Sequence, residues 1–419
     1  MKILLINKFH YKRGGSETYY FALAEALIAK GHKVIYFAMQ DEKNLPCAQS
    51  KYFVSNVDYN GRKQGMLSKI KLGLKIFYSF EAKEKMKKLI REEKPDVAHI
   101  GLIHRQITFS VVDVLKKYNI PIIMTMHDLI FACPNYTMLS RTGICEDCMD
   151  KGIVSCVKKL CIKDSKAKSF IGVMEAKFLK IGKYYNKIDL YIAECEQYKA
   201  LMKKSKFTKS KIINMTNFLP INQEYKFNEE YKDYILYFGR FSKEKGILTL
   251  LKAHKQMECK YKLIIVGDGL IKDELQKYID ENRLTNVELL GAIYGDEMEK
   301  IIERSRIIVV PSEWYENCPY SILQSIAKGK VVIASRIGGL PELIEDKKTG
   351  YLFEAGNADD LEIKINFIMQ LDRKEYEKIS YRILYSAKEK HYWEKYIDEL
   401  ISKYMKLIRS KKCVDHNKI

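Results

Sequence analysis

Along the chain, short runs in which nearly every position is apolar or β-branched alternate with longer stretches whose apolar residues recur every three or four positions. The short runs Lys2–Ile6, Lys33–Phe37, Asp96–Ile100, Pro121–Met126 and Ile188–Ala193 predict strands. Ser16–Lys30, Lys83–Glu93 and Thr108–Tyr118, which lie between them, have helical period. The scheme then repeats. Tyr234–Phe238, Lys262–Val266, Val287–Leu290, Arg306–Val310 and Val331–Ser335 predict strands, with helices such as Ile247–Met257 and Ile271–Asn282 between them. Runs that are apolar throughout, rather than alternating, belong to strands covered on both faces. Two such series predict an α/β protein with two doubly wound parallel sheets, whose ligand loops lie at the carboxyl ends of the strands.

The polar, aperiodic stretch Asn217–Glu230 reads as the linker, and Tyr376–Ser410 as a helical tail. The expected units are 1–217 and 218–390, followed by a closing helix and tail at 391–419. Ile130–Ser165 breaks the rhythm and holds five of the ten cysteines. Long inserted loops in compact domains tend to be functional.

The composition is that of a globular protein, 47% hydrophobic and 30% charged over 419 residues. No apolar run approaches the roughly 20 residues of a spanning helix. The opening MKILLIN is too short for a secretory segment and reads as a buried strand, so a cytoplasmic protein with reduced cysteines is expected. The net charge of +20 is unevenly placed. Residues 1–217 carry 39 Lys and Arg against 20 Asp and Glu, whereas residues 218–419 carry 34 against 33. Lysine enrichment by codon bias accounts for a Lys-rich chain but not for one unbalanced half, which points to an anionic partner.

Four loops carry candidate chemistry. Gly14-Gly15-Ser16-Glu17 opens a helix after the first strand, where bare N–H groups can meet an anion. It is not a dinucleotide fingerprint, and Gly-Gly alone is equally a tight turn. Gly239-Arg240, with Lys245 and Gly246 following, sits between a strand and a helix. There Arg can clamp diphosphate oxygens and Lys adds a point charge. Val266-Gly267-Asp268-Gly269 is a third strand-end loop. The longest, Pro311–Gln324 (PSEWYENCPYSILQ), runs from a strand into a helix starting near Pro319 and is followed by Gly338-Gly339-Leu340-Pro341-Glu342. Backbone N–H groups around Asn317–Ser321 form a further anion site, and Glu316 before them can accept bonds from hydroxyls.

In order and spacing, GGSE, the pair His127-Asp128, GRFSKEKG, VGDG, PSEWYENCPYSILQ and GGLPE resemble the retaining GT-B nucleotide-sugar glycosyltransferases of family 4 over nearly the whole chain. The resemblance implies two Rossmann-like domains facing across a cleft. The N-terminal one takes the acceptor and the C-terminal one the nucleotide sugar, and a final helix crosses back to the N-terminal domain. It implies that Arg240 and Lys245 grip the donor diphosphate, that Gly15 faces the donor phosphate, and that Glu316 binds sugar hydroxyls. His127 would lie near the transferred sugar. Gly239, Gly267 and the turn Asn317, Cys318, Pro319, Tyr320 and Ser321 would line the donor, with Gly14, Glu17 and Asp128 on the acceptor side. The second acid of the E-x7-E motif is Gln324 here, which accepts and donates but lacks the charge-assisted bond.

No DxD metal motif stands in a suitable loop, so Arg, Lys and helix N-termini are expected to stabilise the leaving diphosphate with no cofactor required for catalysis. Retention is ascribed in this family to front-face attack. The spacing of Cys145, Cys148, Cys156 and Cys161 is compatible with structural zinc, free thiols or a redox-labile pair. Within 62–94, Met66, Ile70, Leu74 and Phe77 would share a helical face flanked by lysines 63, 69, 71 and 75, reading either as core or as an anionic-membrane surface.

The resulting expectation is transfer of a hexose from a UDP- or GDP-sugar to a glycan acceptor, lipid-linked at the inner membrane face, in capsule, exopolysaccharide or O-antigen assembly. A soluble sucrose- or trehalose-type transferase fits the basic half less well. A non-catalytic nucleic-acid or membrane binder lacks any helix-turn-helix or RNA-recognition signature, so no nucleic-acid partner is expected.

Overall fold

The computed structural model of the protein describes residues 1–56, 75–258 and 260–416. They fall into two compact units, Met1–Ile221 together with Trp393–Ile419, and Asn222–Tyr392.

The first unit is built on β1 (Lys2–Ile6), β2 (Lys33–Phe37), β3 (Val97–Ile100), β4 (Ile122–Met126), β7 (Leu190–Ala193) and β8 (Lys211–Asn214). A short antiparallel pair, β5 (Leu139–Ser140) and β6 (Gly143–Ile144), lies apart from them. The main sheet is parallel in the order β2-β1-β3-β4-β7-β8. The second unit holds β9 (Tyr234–Phe238), β10 (Lys262–Val266), β11 (Val287–Leu290), β12 (Ile307–Val310), β13 (Val331–Ser335) and β14 (Tyr351–Phe353), parallel in the order β11-β10-β9-β12-β13-β14. In each sheet the chain builds outward from its first strand, then returns to the other side of it. The order reverses between β1 and β3, and between β9 and β12. Ligands of such sheets bind at these reversals.

The central strands are buried throughout, Ile3–Ile6 and Ile307–Val309 at 1% exposure or less, which is why they read as unbroken apolar runs. β8 and β14 lie beyond the expected strands. β8 is a half-exposed edge strand and β14 spans three residues, so neither makes a long apolar run.

The helical tail consists of two helices. Arg373–His391 closes the second unit, where buried Tyr376 donates to the Arg306 carbonyl at 2.5 Å. After Tyr392 a second helix, Trp393–His416, packs in the first unit. There Tyr396 shares a 2.8 Å hydroxyl contact with Tyr19, and Tyr404 meets His99 Nδ1 at 2.5 Å. His99 Nε2 in turn lies 2.7 Å from Thr125 Oγ1.

Most of the expected lysine-flanked face, with Met66, Ile70, Leu74 and lysines 63, 69 and 71, lies outside the described residues. Of it, Lys75 approaches Glu81 at 4.0 Å and the Phe77 ring meets Phe178 edge-on. The helix Phe80–Glu93 that follows is capped by Ser79 and buries Met86, Leu89 and Ile90, so this part belongs to the core. Among the described residues no helix is long and apolar enough to cross a membrane.

Lys330, just before β13, is fully buried. Its Nζ lies 5.1 Å from the Phe227 ring and 5.6 Å from the Tyr231 ring, with no hydrogen-bond partner among the described residues. Burial lowers its pKa to about 7.

Candidate active site

At the reversal of the second sheet, the loop after β9 meets the loop after β12. Gly246 ends a short turn at φ +65°, and a Cβ there would fall 1.8 Å from the Pro311 carbonyl oxygen, so only glycine lets the loops approach this closely. Glu313 N donates to the Glu244 carbonyl at 2.8 Å, and Thr249 Oγ1 donates to Glu313 at 2.5 Å. This fixes Lys245 opposite Glu316. Lys245 Nζ donates to Glu316 Oε1 at 2.6 Å, and Ser312 Oγ donates to the same oxygen at 2.6 Å. Glu316 is buried. Burial opposes its charge, but Lys245 beside it and the Ser312 bond hold its carboxyl below the usual carboxylate range. Gly338, at φ +58°, passes so close that a Cβ would fall 2.4 Å from the Glu316 carbonyl oxygen, which accepts from Gly339 N at 2.8 Å. The GGLPE segment thus holds the backbone of the acid.

Arg240 shares the β9 loop, but its side chain points to solvent and touches Glu244 at 3.1 Å. Gly239 and Gly267 back onto each other, since a Cβ on Gly267 would fall 1.9 Å from the Gly239 carbonyl oxygen. Asn317 and Cys318 are buried just ahead of the helix Tyr320–Ala327, whose N-cap is Pro319. Tyr320 is buried, and Ser321 and Gln324 are partly exposed on that helix.

The reversal of the first sheet gathers a different set. Asn7, after β1, donates from Nδ2 to the Phe9 carbonyl at 3.0 Å and to Glu17 Oε1 at 3.2 Å, and its Oδ1 accepts from Leu102 N at 3.0 Å. Glu17 is buried in the first turn of the helix Gly15–Ala29, where a carboxylate suits the positive end of the dipole. Gly14 is the N-cap of that helix, and its carbonyl accepts from Thr18 N at 3.0 Å. His127, after β4, pairs through Nδ1 with Glu194, after β7, at 3.0 Å, and its ring meets Tyr19 edge-on. Burial works against the imidazolium, but the Glu194 carboxylate, then Glu17 and Asp128, raise the His127 pKa above its ordinary value. His127 Nε2 would lie 3.5 Å from a Cβ on Gly101, after β3, so the ring's free edge faces bare backbone. Asp128 accepts from Ile130 N at 3.2 Å, and burial raises its pKa. Burial lowers the pKa of Lys8, against the pull of Asp128 and Glu17.

Sequence reasoning missed Glu194, Ser312, Asn7 and Lys8. Asn7, Lys8 and Glu194 each fall within two residues of the end of a buried strand, which is the signal that could have found them.

Of the named cysteines, Cys145 accepts from Lys159 Nζ at 3.2 Å and lies near enough to Cys161 to act on its charge. Cys133 joins them, its thiol in hydrogen-bonding reach of Cys148, as Cys148 is of Cys156 and Cys156 of Cys161. Contact with Cys148, together with burial, pushes the Cys133 thiol up. These thiols line a satellite core of Cys156, Ile162 and Val173. Among the described residues no group of three or more His, Cys, Asp or Glu side chains is arranged to hold a metal ion.

Two parallel-sheet units with polar constellations at both reversals are the GT-B fold. The family model for Glycosyltransferase Family 4 matches residues 13–214, and that for Glycosyl transferases group 1 matches residues 221–384. The chain belongs to this glycosyltransferase family. It is 26% identical to a 42.6 kDa protein in the cps region of Klebsiella pneumoniae, over 90% of this chain and 95% of that one. It is 34% identical to an uncharacterized glycosyltransferase of Methanocaldococcus jannaschii over 35% of this chain, spanning 40% of that relative's length. It is 33% identical to the lipopolysaccharide 1,2-N-acetylglucosaminetransferase of Salmonella typhimurium over 38% of this chain and 45% of that enzyme. The sucrose-phosphate synthase of Thermosynechococcus elongatus shares the fold, with a TM-score of 0.71 at 19% identity over 98% of this chain and 99% of that one.

Proposed function

We propose that the protein transfers a hexose, with retention of configuration, from a UDP- or GDP-sugar to a lipid-linked glycan during surface polysaccharide assembly, working peripherally on the inner membrane face. The observation that carries this reading is the Lys245–Glu316–Ser312 constellation at the reversal of the second sheet. It places a cation and a buried, charged carboxylate side by side, which is what a diphosphate and the hydroxyls of its sugar require. The names of the Klebsiella and Salmonella relatives support the polysaccharide setting.

In this scheme Lys245 and the exposed Arg240 meet the diphosphate, and Glu316, held charged at neutral pH, accepts from sugar hydroxyls. The turn Asn317–Ser321 offers backbone N–H groups to phosphate, and Gln324 meets the ribose. His127, on the first unit, is assigned to the transferred sugar, and Gly14, Glu17 and Asp128 to the acceptor side. As the bond from C1 to the diphosphate oxygen breaks, the bond from C1 to the acceptor oxygen forms. The acceptor proton passes to the leaving phosphate, and a nucleoside diphosphate is released. Positive side chains and helix N–H groups supply the stabilisation of developing negative charge.

Release of UDP or GDP from a panel of nucleotide sugars tests the activity, and release from none of them refutes it. The anomeric configuration of the new linkage, read by NMR, is expected to match the donor's. An inverted product defeats front-face attack. EDTA is expected to leave the rate unchanged, and a loss restored by Mg²⁺ or Mn²⁺ contradicts metal-independent transfer.

A further inference from the structure

The helix Lys166–Ile181 has two faces of opposite character. Ser169, Gly172, Val173, Glu175 and Leu179 are buried. Phe170, Ile171, Met174 and Ile181 are exposed, Phe170 to 55% and Ile181 to 81%. Phe170, Met174 and Ile181 stand four and seven residues apart and share one face of the helix, with exposed Lys177 on the same face between the last two. Single exposed apolar residues are ordinary, but several on one helix face mark a contact surface.

The setting of this face is basic. Residues 151–187 hold ten lysines against two acids, Asp164 and Glu175. Both acids are engaged by arginines, Asp164 with Arg141 at 2.8 Å and Glu175 with Arg105 at 3.0 Å. Lys166, Lys168, Lys177, Lys180 and Lys183 are exposed, and none of them forms an ion pair among the described residues. The helix therefore offers exposed apolar residues interleaved and flanked with uncompensated lysines.

We propose that this face docks the protein on an anionic lipid bilayer, with Phe170, Met174 and Ile181 entering the interface and the lysines meeting lipid phosphates. Charge decides between occupants. A second copy of the same face would bring two sets of lysines together, which is repulsive. An anionic leaflet complements the lysines and takes up the apolar residues, as it does for interfacial amphipathic helices. The helix is also tied to the candidate acceptor side. Arg105, on the loop after β3, donates to Glu175 at 3.0 Å and to the Pro134 carbonyl at 2.9 Å. Docking would thereby hold the loops at the carboxyl end of the first sheet against the surface that carries a lipid-linked substrate. That purpose rests on the acceptor reading above, whereas the docking itself needs no donor or acceptor.

The test is co-sedimentation of the full chain with vesicles of phosphatidylcholine alone or mixed with phosphatidylglycerol, at low and high salt, without nucleotide sugar. Binding is expected only with the anionic lipid and is expected to weaken with salt. The pair Phe170→Glu and Met174→Glu should lower partition at least about tenfold with an unchanged thermal melt, since both side chains already face water. Each lysine near an anionic leaflet is worth about fivefold in partition. Lys166→Glu, Lys177→Glu and Lys180→Glu together should therefore lower it about a hundredfold or more. Lys245→Ala, which the transfer scheme needs, should bind vesicles normally. Transfer activity without docking overturns this inference alone, and docking without transfer overturns the enzymatic reading alone. Equal recovery in the supernatant with every vesicle refutes the docking face. So does self-association that the Phe170→Glu and Met174→Glu pair abolishes.

Discussion

The two reversal points differ in how they hold charge. In the second unit a lysine and a carboxylate meet directly, Lys245 on Glu316 at 2.6 Å, with exposed Arg240 on the same loop. At the first unit's reversal the donors are neutral or titratable, Asn7 and Ser16 on Glu17 and His127 on Glu194. The same sheet architecture thus supports a fixed ion pair in one unit and a proton-dependent pair in the other, because the chemistry sits in the loops and not in the strands. A fixed pair suits a ligand whose charge does not change, such as a diphosphate. A histidine–carboxylate pair suits a neutral hydroxyl-bearing ligand, and its charge responds to pH.

The most severe test of this contrast is removal of the cations. Arg240→Ala and Lys245→Ala should each lower turnover about a hundredfold, the effect of losing roughly 3 kcal/mol of stabilisation on a leaving group. Arg240 is the cleaner probe because its side chain is exposed. Lys245→Ala also leaves Glu316 buried without its cation, so it should be compared with Lys245→Ala combined with Glu316→Gln, and thermal melts should accompany both. Near-normal turnover in the Arg240 and Lys245 variants removes them from the site.

Next in size is a stability effect from Lys330, which the second unit buries with no hydrogen-bond partner among the described residues. Lys330 has a folded pKa near 7, below the 10.5 of the unfolded chain, so the unfolded state binds more protons between these values. Its penalty is complete below pH 7 and is relieved as pH rises from 7 towards 10.5. Lys330→Met should stabilise the protein by roughly 2 kcal/mol at pH 7 and flatten the alkaline rise. Chemical denaturation across that range measures both, and an unchanged slope contradicts the assignment.

A smaller effect is expected in the first unit. With its pKa raised, His127 contributes stability that is full below 6.5 and fades as pH rises through its folded value. Glu194→Gln should bring the His127 titration, followed by NMR, down below 6.5 and lower turnover about tenfold, within the span usual for a positioned acid or base. A titration that does not move breaks the proposed pairing. The smallest change is Gln324→Glu, which should be tolerated and tighten donor binding by a few-fold through a charge-assisted bond. Weaker binding by titration calorimetry removes the ribose role.

The strands were legible because burial on both faces leaves a continuous apolar run, as in Ile3–Ile6 and Val331–Ala334. Glu316 and Lys245 were legible because each stands in a loop directly after such a run. What escaped was pairing over long separations. Nothing local in YIAEC announces that Glu194 meets a histidine 67 positions earlier, and nothing in WEKYIDEL tells that Tyr396 reaches Tyr19. The tail's period runs unbroken through both halves, so the period alone does not mark the break. The break at Tyr392 decides which unit each half serves, and that is a matter of tertiary packing. The cysteines show the same limit, since spacing alone did not bring in Cys133.

The hydroxyl contact between Tyr396 and Tyr19 also bears on the order of assembly during synthesis. The chain makes the first unit's sheet, then all of residues 222–392, and only afterwards the helix that completes the first unit. Domains fold as units while the chain is made. The second unit, begun later, is therefore the first to have all its parts. Until residues 393–416 emerge, Tyr19 and His99 lack the tyrosines that cover them, and the amino-terminal half must persist as an unfinished intermediate. A released chain that ends at residue 392 should expose that half to protease while its later half resists.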